Sequence, residues 1–141
     1  MTATVLREMT PADYEQVHAL WRQSEGVGLS DADSRENIAA YLQRNPGISH
    51  VAHTGDVLSG VILCGHDGRR GYIHHLAVAT DYRRRGIGGR LVSAALASLK
   101  AAGIGKCHLF AFSANRHGTA FWESSRWQGR SDLKIFSRTL S

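Results

Sequence analysis

The chain has 141 residues, 43% apolar and 21% charged, with a net charge of +5. That is long enough to bury roughly 70% of its unfolded surface without disulfide staples, and ordinary enough to exclude a disordered, fibrous or disulfide-dense class. Residues 1–67 hold nine acids and four Arg/Lys, a balance of −5, and residues 68–141 hold three acids and thirteen Arg/Lys, a balance of +10. A uniformly basic chain would point to nucleic acid; this bipolar one points to an anionic ligand on the C-terminal half and a cationic one near the N-terminal half. No apolar run reaches membrane-spanning length, and with no signal peptide a cytoplasmic location is expected. Cys64 and Cys107 sit in apolar runs and read as small buried hydrophobes in a reducing compartment.

In chain order, Val5 to Glu8 is a short strand candidate. Thr10 can cap a helix with Pro11 at its first position, and Tyr14, Val17 and Trp21 give that helix an apolar face. An acidic loop containing Glu25 and Asp31 follows. A second helix is expected from Asp33 or Ser34, burying Ile38, Tyr41 and Leu42 and ending before Pro46. Ile48 to His53 and Val57 to Cys64 read as strands joined by a turn at Gly55-Asp56. After His66-Asp67-Gly68, the segment Tyr72 to Val78 reads as a buried strand. Strict alternation would put Tyr72, His74 and Leu76 on one face and Ile73, His75 and Ala77 on the other. Thr80-Asp81 marks a turn.

From Ile87 onward Ile87, Leu91, Ala95, Leu99 and Ala102 recur at helical spacing. Arg83, Arg84, Arg85, Gly86, Gly88 and Gly89 crowd the joint before it. A helix N-terminus carries unpaired N–H groups and partial positive charge, glycines allow close approach, and arginines add fixed charge. The combination reads as a pyrophosphate cradle; a solvated basic turn is the other reading. Farther on, Lys106 to Phe112 reads as a buried strand and Asn115 to Ser125 as a helix. Trp127 to Arg138 reads as two short strands broken near Ser131-Asp132. The expected order is β α α β β β α β α β β, an α/β sheet with helices on both faces in one domain, residues 1–141.

The run Arg83-Arg84-Arg85-Gly86-Ile87-Gly88 resembles the Arg/Gln-x-x-Gly-x-Gly/Ala signature of the GNAT superfamily of N-acetyltransferases. Asn115, Ala120, Phe121-Trp122-Glu123 and Trp127 resemble that family's later Asn…Ala-x-x-Phe-Tyr-x-x-x-Gly-Phe segment. A dinucleotide fingerprint is not matched, because Gly86-Ile87-Gly88-Gly89-Arg90-Leu91 lacks the third glycine.

The resemblance implies a GNAT-like mixed sheet and acetyl-CoA as co-substrate; no metal is expected, since His50 and His53 lie three apart on a strand, facing opposite sides, with no convincing ligands to pair them. Leu76, Ala77 and Val78 would face the pantetheine arm and thioester, Arg83, Arg84, Arg85, Gly86, Ile87, Gly88, Gly89 and Arg90 the pyrophosphate, and Asn115 and Trp122 the cofactor arm. The acceptor would be an amine, on a small molecule or at a protein terminus or lysine, with no nucleic acid or membrane partner. Glu25, Asp31, Asp33 and Glu36 are candidates to hold a cationic acceptor, with helix caps and solvated acids as the alternative for each. His74 is the candidate general base, since histidine titrates in the useful range, and Tyr72 lies beside it; a satisfied strand histidine is the alternative. His75 reads as structural. Trp122 stands where the family often has a tyrosine acid, and an indole N–H is no acid at neutral pH, so either another group serves, Tyr72 or Ser124 through water, or the thiolate leaves unassisted. A catalytically weak acyl-CoA-binding module is the competing function, and a homodimer is compatible with the small size.

Overall fold

The computed structural model describes residues 2–140. The chain divides into two compact units, Met1–Phe110 and Ala111–Ser141.

The first unit is built on a five-stranded sheet in simple sequence order. It comprises β1 (Thr4–Glu8), β2 (His50–Thr54), β3 (Val57–His66), β4 (Gly71–Val78) and β5 (Cys107–Leu109). The first four strands are antiparallel, and β5 alone joins in parallel. Helices α1 (Tyr14–Gln23) and α2 (Arg35–Arg44) precede β2, and α3 (Ile87–Ala101) makes the crossover from β4 to β5. Asp13 closes the turn before α1 by accepting the Thr10 N–H at 2.8 Å, and Ser34 caps α2 by accepting the Asn37 N–H at 3.2 Å.

Two apolar layers enclose the sheet. Val17, Leu20 and Trp21 of α1 and Ile38 and Leu42 of α2 pack with Val51, Val61, Leu63 and Ala77. On the other face α3 buries Ile87, Leu91, Ala95 and Leu99. Its approach depends on two strand glycines: a Cβ on Gly60 would lie 2.9 Å from Leu91, and one on Gly71 would lie 2.6 Å from Leu99. Such contacts leave no room for a side chain, so the absence of one lets helix and sheet close together. The helix stops at Ala101, and Ala102, expected on its buried face, is exposed.

Three further expectations fail. The strand face pattern of β4 is broken because Leu63 pairs with His75 while Cys64 pairs with Ile73, leaving His74 as an extra residue in a bulge. A bulge bends a strand and resets which way its side chains point. Strand β5 is shorter than Lys106 to Phe112 and only half-buried, with Phe110 63% exposed. Finally, no strand forms between Trp127 and Arg138 among the described residues, and Leu133, Ile135 and Phe136 are exposed. In the second unit the helix α4 (Arg116–Ser124) is the regular element, and none of its residues is buried.

Candidate active site

The bulge in β4 gathers the site. Gly71 faces α3, and so does Ile73, two residues on. Tyr72 and His74 turn to the α1/α2 face, where their rings stack at 6.5 Å and the edge of Tyr41 meets His74 at 5.4 Å. The extra residue then brings His75 to that same face, with its ring 4.9 Å from Trp21 and Ala77 beyond it in the α1/α2 core. The two histidines thus share a face that strict alternation would have divided. His74 is open to solvent at one side, yet the protein packed around it lowers its pKa; the neighbouring His75 lowers it further, against an opposing pull from Asp33. Burial pushes the Tyr41 phenol up, so it stays protonated at neutral pH.

Beside this face the sheet opens. Strand β5 pairs with β4 only along Gly71, Tyr72 and Ile73. The rest of β4, including Leu76, Ala77 and Val78, has β3 as its one partner strand among the described residues. An unpaired strand edge offers backbone donors and acceptors to an extended ligand.

The edge leads directly into the arginine–glycine joint. A short 3-10 turn, Thr80–Tyr82, hands over to Arg83, whose Nε donates to the Val78 carbonyl at 3.2 Å. Arg84 takes φ +63° and Gly86 φ +78°, so the chain twice enters the left-handed region on its way into α3. The first helical bond runs from Arg90 N–H to the Gly86 carbonyl at 3.1 Å. Among the described residues, no protein acceptor meets the N–H groups from Arg84 through Gly89. A Cβ at Gly86 or Gly89 would meet nothing within 4 Å, so the approach is clear. Such a row of free amides at the positive end of a helix is suited to a pyrophosphate.

The arginines differ in their engagement. Arg85 lies over the Tyr82 ring at 5.1 Å and lines an open pocket of about 290 Å³ with Thr2, Thr54, Asp81 and Tyr82. Arg90 is turned to β1, where it donates to the Thr4 carbonyl at 3.1 Å. Arg84 is exposed and makes no side-chain hydrogen bond among the described residues.

The acids sort themselves too. Glu25, Asp31 and Glu36 are exposed, as an acceptor-facing role requires. Asp33 is not available for such a role. Its Oδ1 bonds His75 Nε2 at 2.8 Å and its Oδ2 accepts the Ser30 N–H at 3.1 Å. In the second unit, Asn115 uses its Oδ1 to cap α4 through the Gly118 N–H at 3.0 Å, and Trp122 lies edge-on between Phe121 and Trp127.

The model of the acetyltransferase (GNAT) family matches residues 14–126. The chain belongs to the GNAT family. Over 128 residues it is 28% identical to "Acetyltransferase SG1711" of Sodalis glossinidius, covering 91% of this chain and 89% of that one. Among solved structures it resembles AAC(6')-Iy in complex with the bisubstrate analogue CoA-S-monomethyl-acetylneamine, with a TM-score of 0.76 and 16% identity over 99% of this chain and 100% of that one. It also resembles the ribosomal-protein-alanine N-acetyltransferase of Brucella melitensis, with a TM-score of 0.73 and 16% identity over 98% of this chain and 99% of that one. At these identities the structures establish a shared GNAT fold, the mixed sheet with helices on both sides.

What the sequence did not reveal is the company His74 keeps. Tyr41 is legible in the sequence only as a core residue, and the Asp33–His75 contact joins residues 42 positions apart. The doubled histidine in a β-run was the available signal, since a bulge is one way to place two polar neighbours on one face.

Proposed function

We propose that this chain transfers the acetyl group of acetyl-CoA to a primary amine, by direct transfer in a ternary complex. The observation that carries this is the succession of two stretches of unpartnered backbone: the open edge of β4 from His74 to Ala77 and, after the hydrogen-bonded turn Thr80–Tyr82, the free amides of Arg84 through Gly89. An extended thioester arm with a pyrophosphate at its end has that polarity and order. The GNAT relative bound to a CoA-containing bisubstrate analogue supports the same reading. The family match crosses the boundary at Phe110, and on that ground we read residues 1–141 as one functional domain.

Acetyl-CoA supplies an activated acyl carbon and a thiolate leaving group. The chain's own residues do the rest. Arg84, Arg85 and the Gly86–Gly89 amides anchor the phosphates, each charge-assisted bond contributing about 1.5–3 kcal/mol. Backbone groups of Leu76, Ala77 and Val78 hold the arm and orient the carbonyl. An imidazole nitrogen of His74 takes the proton from the incoming ammonium; its lowered pKa keeps it neutral and ready at pH 7. For a lysine-like amine, deprotonation at pH 7 costs roughly 4.6 kcal/mol, and for an α-amine only about 1 kcal/mol. Tyr72 and Tyr41 flank the base. Glu25, Asp31 and Glu36 draw a cationic acceptor towards it. Trp122 provides no acid, and a thiolate of pKa about 8.5 departs without one.

AAC(6')-Iy with its acetylneamine bisubstrate analogue and the ribosomal-protein-alanine N-acetyltransferase support two of the acceptor classes open to this chain, a small-molecule amine and a protein amine. A thiol-release assay with acetyl-CoA, run against neamine, an alanine-terminated peptide and a lysine peptide, tests the reading. Release above hydrolysis for one of them, abolished by H74A, is expected. Acetyl-CoA binding with no release for any amine would favour the acyl-CoA-binding module instead.

A further inference from the structure

The loop joining α1 to α2 is fastened to β4 through one carboxylate. Asp33 closes a 3-10 turn, Asp31–Asp33, with its Oδ2 on the Ser30 N–H at 3.1 Å, while its own carbonyl accepts the Tyr14 hydroxyl at 2.7 Å. Its remaining oxygen reaches His75 Nε2 at 2.8 Å, with the two side chains 9% and 11% exposed. Trp21 of α1 closes over the imidazole edge at 4.9 Å. The bond exists only because the β4 bulge turns His75 to this face. His74, the adjacent residue, carries the proposed base, and Asp31, two residues before Asp33, is one of the exposed acids.

We propose that His75 is a positioning residue: through Asp33 it fixes the acidic α1–α2 loop against the β4 bulge and so sets where an acceptor amine lies relative to His74. This rests on the acetyltransferase reading, but its physical content, a buried polar tie between β4 and a loop that also packs Val27 and Leu29 on the core, stands apart from it. His75 itself touches neither amine nor acetyl-CoA in this scheme. The groups around the tie are Asp33 on the loop, Tyr14, His18 and Trp21 on α1, Tyr41 on α2, and Tyr72 and His74 on β4. Asp33 is the acid among them, so no other carboxylate in that set can replace it as the acceptor for His75.

Two variants of the full chain separate tie from packing. H75L keeps bulk and loses the donor; H75Q keeps a donor for Asp33. Hydrogen exchange should quicken roughly tenfold or more for the amides of residues 26–33 in H75L, leave β1 and β3 unchanged, and return towards the wild-type rate in H75Q. Unchanged exchange in H75L, or an acceleration spread evenly over the sheet, would overturn the proposal. With neamine as probe amine, H75L should raise the amine KM by roughly tenfold or more while kcat stays within about threefold and acetyl-CoA affinity holds. An equal loss of acetyl-CoA affinity would also overturn it. A wild-type chain that neither binds acetyl-CoA nor acetylates any amine would sink the acetyltransferase reading, and the exchange result would still decide the tie.

Discussion

Arg84 carries two opposing properties at one position. Its backbone sits at φ +63°, where an L side chain costs about 1–2 kcal/mol, and its guanidinium is exposed at the mouth of the cradle. Replacement by glycine removes the strain, and glycine's greater freedom in the unfolded chain takes back about 0.5–1 kcal/mol. R84G should therefore match wild type in stability or exceed it by up to about 1.5 kcal/mol, read from urea unfolding midpoints at constant slope. The same change removes a charge-assisted phosphate contact of about 1.5–3 kcal/mol, so acetyl-CoA should bind about 10- to 150-fold more weakly by calorimetry. R84A keeps the Cβ and the strain; it should lose the affinity without the gain in stability. An R84G protein destabilised by more than about 1 kcal/mol would refute the backbone strain at this residue, and one binding acetyl-CoA as tightly as wild type would refute its phosphate contact.

Further outcomes follow from the packing. G60A places a methyl 2.9 Å from Leu91, 3.1 Å from Ile87 and 3.3 Å from the Ala77 carbonyl, and should cost about 1–3 kcal/mol as α3 is pushed from the sheet; an unchanged melting midpoint would contradict that packing. S49A removes the buried hydroxyl that accepts from Cys64 N–H at 2.9 Å and donates to the Cys64 carbonyl at 3.1 Å, which should cost about 1–3 kcal/mol in urea unfolding. His74 has a folded-state pKa below its unfolded one, so the unfolded chain binds the extra proton first and stability falls as pH drops below about 6.5. H74N should flatten that part of the stability–pH curve; an identical slope in both proteins would remove His74 from the account.

The sequence spoke most clearly where local chemistry decides. Gly86 at a helix start, the apolar spacing from Ile87 to Leu99 and the start of a second helix beside Ser34 each act within a few residues, and each lies within a residue of where it is expected. Long-range features were hidden. Alternation assumes a constant period, and the bulge at His74 depends on how β3 pairs with β4, which no local pattern records. The Asp33–His75 contact is a tertiary fact of the same kind. Phe110 reads as part of a buried strand, and Leu133, Ile135 and Phe136 as parts of short strands, because composition signals apolar surface without saying what covers it. For the candidate site, the glycine–arginine joint at a helix start was legible in the sequence, while the surroundings of the two histidines were not, because Tyr41 reaches His74 and Trp21 reaches His75 from separate helices.

Whether the joint after β4 holds acetyl-CoA is decided by thermal unfolding with and without acetyl-CoA, with ATP and NAD as controls. At about 100 times its dissociation constant the ligand should add about 2.7 kcal/mol and raise the midpoint by several degrees. That shift should be specific to acetyl-CoA and shrink in R84A. No shift, or an equal one with ATP, would contradict the cradle and the transferase built upon it.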